Sequence, residues 1–432
     1  VRITILTWST RGEVQPYVAL AHELEQRGHR VVVAVNENHL RWARSTGLSI
    51  AALPLDFQAI MAEPTARRCV AAGDTAAFLQ WLARHEHERR HAIADAMIDA
   101  CAGADAVVSG FLLSHRAAAV AEASGTPFAR AYIYPIEPTR AYASPYLGNV
   151  VPPLARDALR LRSHEMARNV FLRDQRADLD ELRTRLGLPA LHGTAEDDAA
   201  RRGIRTVHLF DERVLPRPDD WPAHAVVGGY CFLPRSVRER VGEGAVAREV
   251  ERWIDAGPPP IFFGFGSMPV VDPPALVGVI EEVCAELGAR ALVGAGWSDL
   301  PDRQRERLLV VGAIDHDAIL PRCKAAVHHG GAGTTAASLA AGVPTVICSM
   351  FGDQALWGQR VVALGVGATL PFQRFNPTCL VEALRYATTH DVIERARRLG
   401  AELRAVDGRS RTADKILDAL GAPDENSSDH SS

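Results

Sequence analysis

The chain has 432 residues, enough for two or three domains at roughly 150 residues each. Apolar residues make up 47% and charged residues 23%, which excludes a disordered, collagen-like or disulfide-stapled chain. A net charge of −4 leaves no global basic field for nucleic acid.

Residues 3–7 form an apolar run that breaks at Ser9-Thr10-Arg11-Gly12. The run predicts a buried strand, too short for the apolar region of a signal peptide. Residues 16–26 follow at helical spacing, with Pro16 in the first turn and Gly28 past the end. Strands are predicted at 31–35, 48–53, 105–109, 128–133 and 206–210, with helices near 37–46, 75–101, 114–124 and 154–187. Residues 215–222 carry three Pro in eight positions and read as a linker between domains. A second series follows: strands at 260–265, 290–293, 308–311, 325–328, 343–347 and 366–370, with helices at 274–287, 334–341 and 354–364. Strands that alternate with helices predict two doubly wound parallel sheets with a ligand cleft between them. The expected division is an N-terminal domain 1–213, a linker 214–240, a C-terminal domain 241–405, a helix 406–421 returning to the first domain, and a disordered tail 422–432. No run approaches the ~18 apolar residues of a membrane span. The seven Cys contain no CxxC pair and sit mostly in apolar contexts, as reduced thiols of a cytoplasmic protein would.

Four loops after strands carry the chemistry. His328-His329-Gly330-Gly331-Ala332-Gly333-Thr334-Thr335 runs from a strand into a helix. Its glycines admit a close ligand, and the helix N-terminus favours an anion such as phosphate. The same residues also suit a tight capped turn. Phe351-Gly352-Asp353-Gln354 offers donors and acceptors for vicinal hydroxyls, or a helix cap. Thr10-Arg11-Gly12-Glu13 puts a carboxylate at the mouth of the first domain, able to act as general base or to charge its helix. Gly264-Phe265-Gly266-Ser267 is a further candidate for a diphosphate, or a plain turn. His87 and His91 stand four apart, but without an HExxH frame and among Arg they read as a solvated helix face rather than a metal site.

These pieces resemble the family 1 glycosyltransferases of GT-B fold, in their bacterial antibiotic-tailoring and sterol-type branches. The resemblance rests on residues 10–31 (TRGEVQPYVALAHELEQRGHRV), on FFGFGSM and GAGWSDL, and on HHGGAGTT…GVPT…GDQ…WG, and spans about 1–420. It implies an inverting, metal-independent transfer of a sugar from a UDP- or dTDP-sugar to a hydroxyl of a natural-product acceptor, with no cofactor beyond the nucleotide sugar. By motif position it assigns His329 to a donor phosphate. Gly331, Gly333, Thr334 and Thr335 line the diphosphate cradle, with Ser267 nearby. Asp353 and Gln354 take sugar hydroxyls, and Ala313-Ile314 meet the base beside Trp297. Glu13 becomes the catalytic base where this branch usually has Asp. The extra methylene moves the carboxylate by roughly 1.5 Å, one C–C bond length. A shift of that size can cost about 100-fold in rate unless compensated.

Arg116, Arg130, Arg140 and His115 lie in segments able to face the acceptor, which favours a polar acceptor such as an aminocyclitol; salt-bridged Arg is the alternative. Two other readings are carried. A sterol or lipid acceptor at a membrane would use a basic stretch such as Arg67, Arg68, Arg84, Arg89 and Arg90. A non-catalytic homologue acting as a partner protein should have lost the donor residues, which this chain keeps. A monomer or homodimer is expected, with no nucleic-acid partner and no stable membrane insertion.

Overall fold

The computed structural model describes residues 1–421 apart from 148–155, 244–245, 271, 299, 301–303 and 313. The expected tail 422–432 lies outside the described residues. The first domain is built on a seven-stranded sheet: β1 (Arg2–Leu6), β2 (Arg30–Asn36), β3 (Ser49–Leu53), β4 (Ala106–Ser109), β5 (Phe128–Tyr132), β6 (Arg205–His208) and β7 (Ala225–Val227). Its order is β3-β2-β1-β4-β5-β6-β7, with every neighbouring pair parallel. The second domain has six strands: β8 (Ile261–Gly264), β9 (Ala291–Gly294), β10 (Leu308–Val311), β11 (Ala325–His328), β12 (Thr345–Ser349) and β13 (Gly367–Pro371). They run β10-β9-β8-β11-β12-β13, again all parallel. Such sheets are covered by helices on both faces, which is why β1, β8 and β11 are buried along nearly their whole length. In each domain the strand order reverses beside the first strand, between β1 and β4 and between β8 and β11. Ligands of such sheets bind at that switch point, outside the carboxyl ends of the strands.

Two expectations change. The helix after β1 spans Arg11–Gln26, five residues longer at its start than the sequence spacing suggests, so Glu13 occupies its first turn and Pro16 lies inside it. Proline has no N–H to return to the carbonyl four residues earlier, here that of Gly12. That carbonyl faces the second domain: a Cβ added at Gly333 would sit 2.9 Å from the Gly12 oxygen. The N-termini of helices Arg11–Gln26 and Ala332–Ala341 therefore meet across the cleft.

The segment 214–240 is not a free linker, because it contains β7, which pairs with β6 in the first sheet. The Pro-rich run is a packed loop between them. Arg217 bonds the carbonyls of Trp221, Pro222 and Ala225 at 2.9 Å each, and Thr139 and the Arg140 N–H hold Asp220 at 2.5 and 2.8 Å. Proline marks a break in regular structure, but a three-residue strand beyond it carries too little pattern to be seen. The helix Gly408–Leu420 packs on the first domain, against Arg11–Gln26, β5 and β6. Arg27 reaches the Ser410 carbonyl at 2.9 Å, and Thr412 reaches that of Gly229 at 3.1 Å.

The first domain also carries a helical insert, Phe57–Ala62, Pro64–Ala72, Thr75–Glu88 and Arg90–Cys101, braced by the long helix Asp157–Arg185. His87 and His91 face that long helix and meet Asp178 and Glu181 at 2.6 and 3.4 Å. All seven cysteines are free thiols. Among the described residues no helix is long and apolar enough to cross a membrane.

Candidate active site

The carboxyl ends of both sheets open on one cavity of about 640 Å³, lined from both domains. Its second-domain wall starts at β11. His328, the last residue of that strand, is fully buried; its Nδ1 accepts from the Gly330 N–H at 3.0 Å and its Nε2 meets Ser338 Oγ at 3.2 Å. This ties down the turn. Gly330 has φ +91°, and a Cβ there would lie 2.5 Å from Ile347 Cγ2, so only glycine fits. The turn throws His329 into the cavity. Burial pushes the His329 imidazole down to about 4, so it is neutral, and among the described residues its Nδ1 has no hydrogen-bond partner. A Cβ at Gly331 would come within 2.5 Å of the His329 ring. The helix Ala332–Ala341 begins here without a side-chain cap, leaving its first N–H groups aimed at the same space.

Of the residues assigned to the diphosphate, Ser267, His329, Gly331, Gly333 and Thr334 line the cavity, and Thr335 does not. One helical step beyond Thr334, Thr335 turns into the core: it is 1% exposed and its N–H bonds the Gly331 carbonyl at 2.9 Å. Trp297 and Ile314 line the far end, where the Trp297 N–H bonds Gly266 O at 2.8 Å. Ala313 lies outside the described residues. Nearby, Arg238 holds Asp315 at 2.6 Å, and Arg11 stacks 3.8 Å over Trp42 while bonding Glu243 at 2.7 Å.

Asp353 and Gln354 both line the cavity, but each is partly committed. Gln354 Oε1 accepts from the N–H groups of Met350 and Phe351 at 2.7 and 3.2 Å, shaping its own loop. Asp353 accepts from Trp357 Nε1 at 2.5 Å, and burial raises its carboxyl to about 6. Neither residue caps its helix through the side chain.

Glu13 faces these groups from the first domain. Burial raises it to about 8; hydrogen bonds from Ser9 and Tyr134 pull the other way, and the Asp353 charge adds to the rise. The Tyr134 hydroxyl donates to Glu13 Oε1 at 3.4 Å. Ser9 has φ 147°, a strained value for a residue other than glycine. A side-chain bracket holds it: Asn36 bonds its N–H and carbonyl at 3.2 and 3.1 Å, and His39 bonds the same carbonyl at 3.1 Å.

Beyond Glu13 the wall is mostly apolar, with Gln58 and Thr75 as its polar members from the helical insert. Phe57, Met61, Phe78, Leu79 and Leu82 come from the helical insert, and Tyr134 and Tyr146 from the loops after β5. The rings of Phe78 and Phe351 meet at 5.2 Å, and Thr75 Oγ accepts from the Gly352 N–H at 3.1 Å. The insert thus docks directly on the Asp353 loop. None of these residues stood out in the sequence, because an aromatic at helical spacing looks like core. The polar residues expected to meet an acceptor are elsewhere. His115 and Arg130 hold Glu196 at 2.9 and 2.6 Å, Arg116 holds Glu86 at 3.0 Å, and none of them, nor Arg140, lines the cavity. Burying charge requires pairing it, and these side chains are consumed in that way. Among the described residues no three His, Cys, Asp or Glu side chains converge as metal ligands would.

Two helix-covered parallel sheets share a cleft, with a glycine-rich turn and an uncapped helix start on one side and a buried carboxylate on the other. Comparison with known proteins agrees. Residues 3–143 match the glycosyltransferase family 28 N-terminal domain, and residues 274–409 match the C-terminal domain of erythromycin biosynthesis protein CIII-like proteins. The chain is 32% identical to an uncharacterized glycosyltransferase of Mycobacterium leprae over 96% of each chain. It is 30% identical to a sterol 3-beta-glucosyltransferase of Arabidopsis thaliana, over 96% of this chain and 67% of that protein. The calicheamicin glycosyltransferase CalG4 shares the fold with a TM-score of 0.68 at 18% identity, over 97% of this chain and 98% of that one. A Streptomyces sp. SF2575 glycosyltransferase, solved with thymidine diphosphate, does so with a TM-score of 0.61 at 19% identity, over 96% and 99%. The chain belongs to the family 1 glycosyltransferases of GT-B fold.

Proposed function

We propose that this glycosyltransferase moves a sugar, with inversion, from a UDP- or dTDP-sugar to a hydroxyl of an apolar, ring-built acceptor: a polyketide-type natural product or a sterol. The apolar wall between the helical insert and Glu13 carries the acceptor class and displaces the polar acceptor expected from Arg116, Arg130, Arg140 and His115. A relative named a sterol 3-beta-glucosyltransferase supports it.

The carboxylate and the glycine-rich turn that face each other across the cavity support a single displacement. Glu13 takes the proton of the acceptor hydroxyl as that oxygen bonds to the anomeric carbon. The bond from that carbon to the diphosphate breaks, and its electron pair leaves on the diphosphate. Neutral His329, the first N–H groups of Ala332–Ala341, and the Ser267 and Thr334 hydroxyls stabilise the growing charge. They fill the role a divalent cation fills in metal-dependent transferases. Asp353 and the Gln354 amide N–H₂ hold sugar hydroxyls. Because Glu13 must be ionised to act, kcat/KM is expected to rise with pH around a midpoint near 8.

Calorimetry with UDP, dTDP, GDP and ADP tests the donor half. One uridine or thymidine diphosphate should bind at micromolar strength, and His329→Ala should weaken it about 10- to 100-fold, the worth of a hydrogen bond to a charged group. No binding of any nucleotide by folded protein would end this reading. The acceptor half is tested with Phe78→Ala and two probe alcohols, cholesterol and 2-deoxystreptamine. Cholesterol should be glucosylated and the aminocyclitol should not. The variant should raise the cholesterol KM about tenfold, the cost of losing part of an aromatic wall, with nucleotide affinity unchanged. Preference for the aminocyclitol would overturn the apolar assignment.

A further inference from the structure

A glutamate at the floor of a cavity has three rotatable bonds and must be held for one oxygen to meet a substrate. Among the described residues, five groups face Glu13. Ser9 and Tyr134 donate hydrogen bonds to it, Tyr17 and Tyr146 are phenols nearby, and Asp353 approaches from across the cleft. Arg11, on the same helix, is turned away to Trp42 and Glu243. The two hydroxyl donors are therefore what favours the ionised form, against burial and Asp353.

Of the two donors, Tyr134 is the one held by a ring cluster. Its ring packs edge-on against Phe111 and Tyr146, with centroids 5.9 and 6.1 Å away, and its carbonyl meets His208 Nδ1 at 3.3 Å. The Tyr146 ring itself stacks on Phe111, with centroids 5.7 Å apart, which closes the cluster around Tyr134. Burial keeps the Tyr134 phenol well above its ordinary range, so it remains a donor wherever the protein is active. We propose that Tyr134 is a positioning residue of this transferase: its clamped hydroxyl fixes Oε1 of Glu13 and leaves Oε2 to receive the acceptor proton. This rests on Glu13 being the general base. During transfer Tyr134 keeps its own proton; only the acceptor proton moves, to Oε2, as the sugar–diphosphate bond breaks. The longer reach of glutamate becomes useful here, since it brings one oxygen to a hydroxyl anchored beyond β5.

The test is a titration of full-length protein carrying ¹³C-labelled glutamate. The Glu13 carboxyl resonance is identified by its absence from Glu13→Gln, then followed with pH in wild type and in Tyr134→Phe. Removing a donor to the carboxylate should move the midpoint up by about half a unit to one unit. UDP and dTDP affinity, read by calorimetry, should stay within about twofold, since the donor cradle is untouched. Tyr146→Ala, which removes a ring packed edge-on against Tyr134 while keeping the Tyr134 hydroxyl, should give a smaller shift in the same direction, and it carries the test if Tyr134→Phe fails to fold. An unmoved midpoint in the folded variants overturns the proposal. Loss of nucleotide affinity alongside an unmoved midpoint does so too, by marking Tyr134 as merely structural. Failure of the underlying reading looks different: Glu13→Gln would still transfer glucose to cholesterol, whatever Tyr134 does to the titration.

Discussion

Glu13→Gln is expected to lower kcat about 10³-fold, the typical worth of a positioned general base, while making the folded protein more stable at alkaline pH. The two effects share one cause. Burial raises Glu13 from an ordinary 4.5 to about 8, so the folded state holds a proton that the unfolded chain has lost. Stability from this group is fully present below 4.5 and falls as pH rises to about 8, where the folded carboxyl finally ionises. Glutamine keeps the shape and hydrogen-bonding capacity without that loss. Melting curves of both proteins should nearly coincide at acid pH and separate by a few degrees above the folded midpoint, with the variant higher. The same variant should bind UDP or dTDP as wild type does. A variant that melts at or below the wild-type temperature at alkaline pH would show that Glu13 is solvated and unfit for the role. A strained, desolvated carboxylate that costs stability and gives rate is what a catalytic base at a buried site requires.

Gly330→Ala should be strongly damaging to the wall of the candidate site. The added Cβ would stand 2.5 Å from Ile347 Cγ2, on a backbone whose φ of +91° already disfavours a side chain. Both penalties act together, for a loss of about 2–4 kcal/mol. The damage should reach function as well as stability, because Gly330 is the residue whose N–H bonds His328 and whose turn aims His329. Nucleotide affinity is expected to fall at least as far as in His329→Ala. Chemical denaturation together with calorimetry separates the two consequences. If the variant unfolds at the wild-type denaturant concentration, the turn is looser than its geometry indicates. Alanine at Gly12, where nothing lies within 4 Å of the added Cβ, is the natural control.

Much of the second-domain wall was legible in the residues. A strand followed by His-Gly-Gly and a run of small residues at a helix start predicts a turn that opens on a ligand, and the structure puts His329, Gly331, Gly333 and Thr334 on the cavity wall. Ser267, Thr334 and Asp353 reach the same cavity, because loops after adjacent parallel strands must open on one rim. The exceptions are instructive. Thr335 is next to Thr334 in sequence and about 100° away around the helix, so a motif read as a string assigns it to the wrong face. Gln354 keeps its place on the wall, but much of its amide is spent shaping the 350–354 loop.

The acceptor half was not legible, for a reason of range. Arg116 and Glu86 are thirty residues apart, as are the ends of many contacts that decide whether an arginine meets a substrate or another side chain. Local pattern also hid β7: three residues after a proline-rich loop join the first sheet only because β6 offers them an edge.

By itself the sequence determined the alternation of strands and helices, hence two parallel doubly wound sheets, and it placed glycines, histidine and carboxylates at the strand ends where such sheets bind ligands. Those features depend on periodicity and on backbone freedom, which are local properties of the chain. The tertiary structure alone decided that Phe78 meets Phe351, that Tyr134 meets Glu13, that the buried arginines meet carboxylates, and that apolar side chains of the helical insert line the cavity. Each of those outcomes depends on which distant side chain shares a low-dielectric space, and burial there sets both the charge of Glu13 and the partner that holds it.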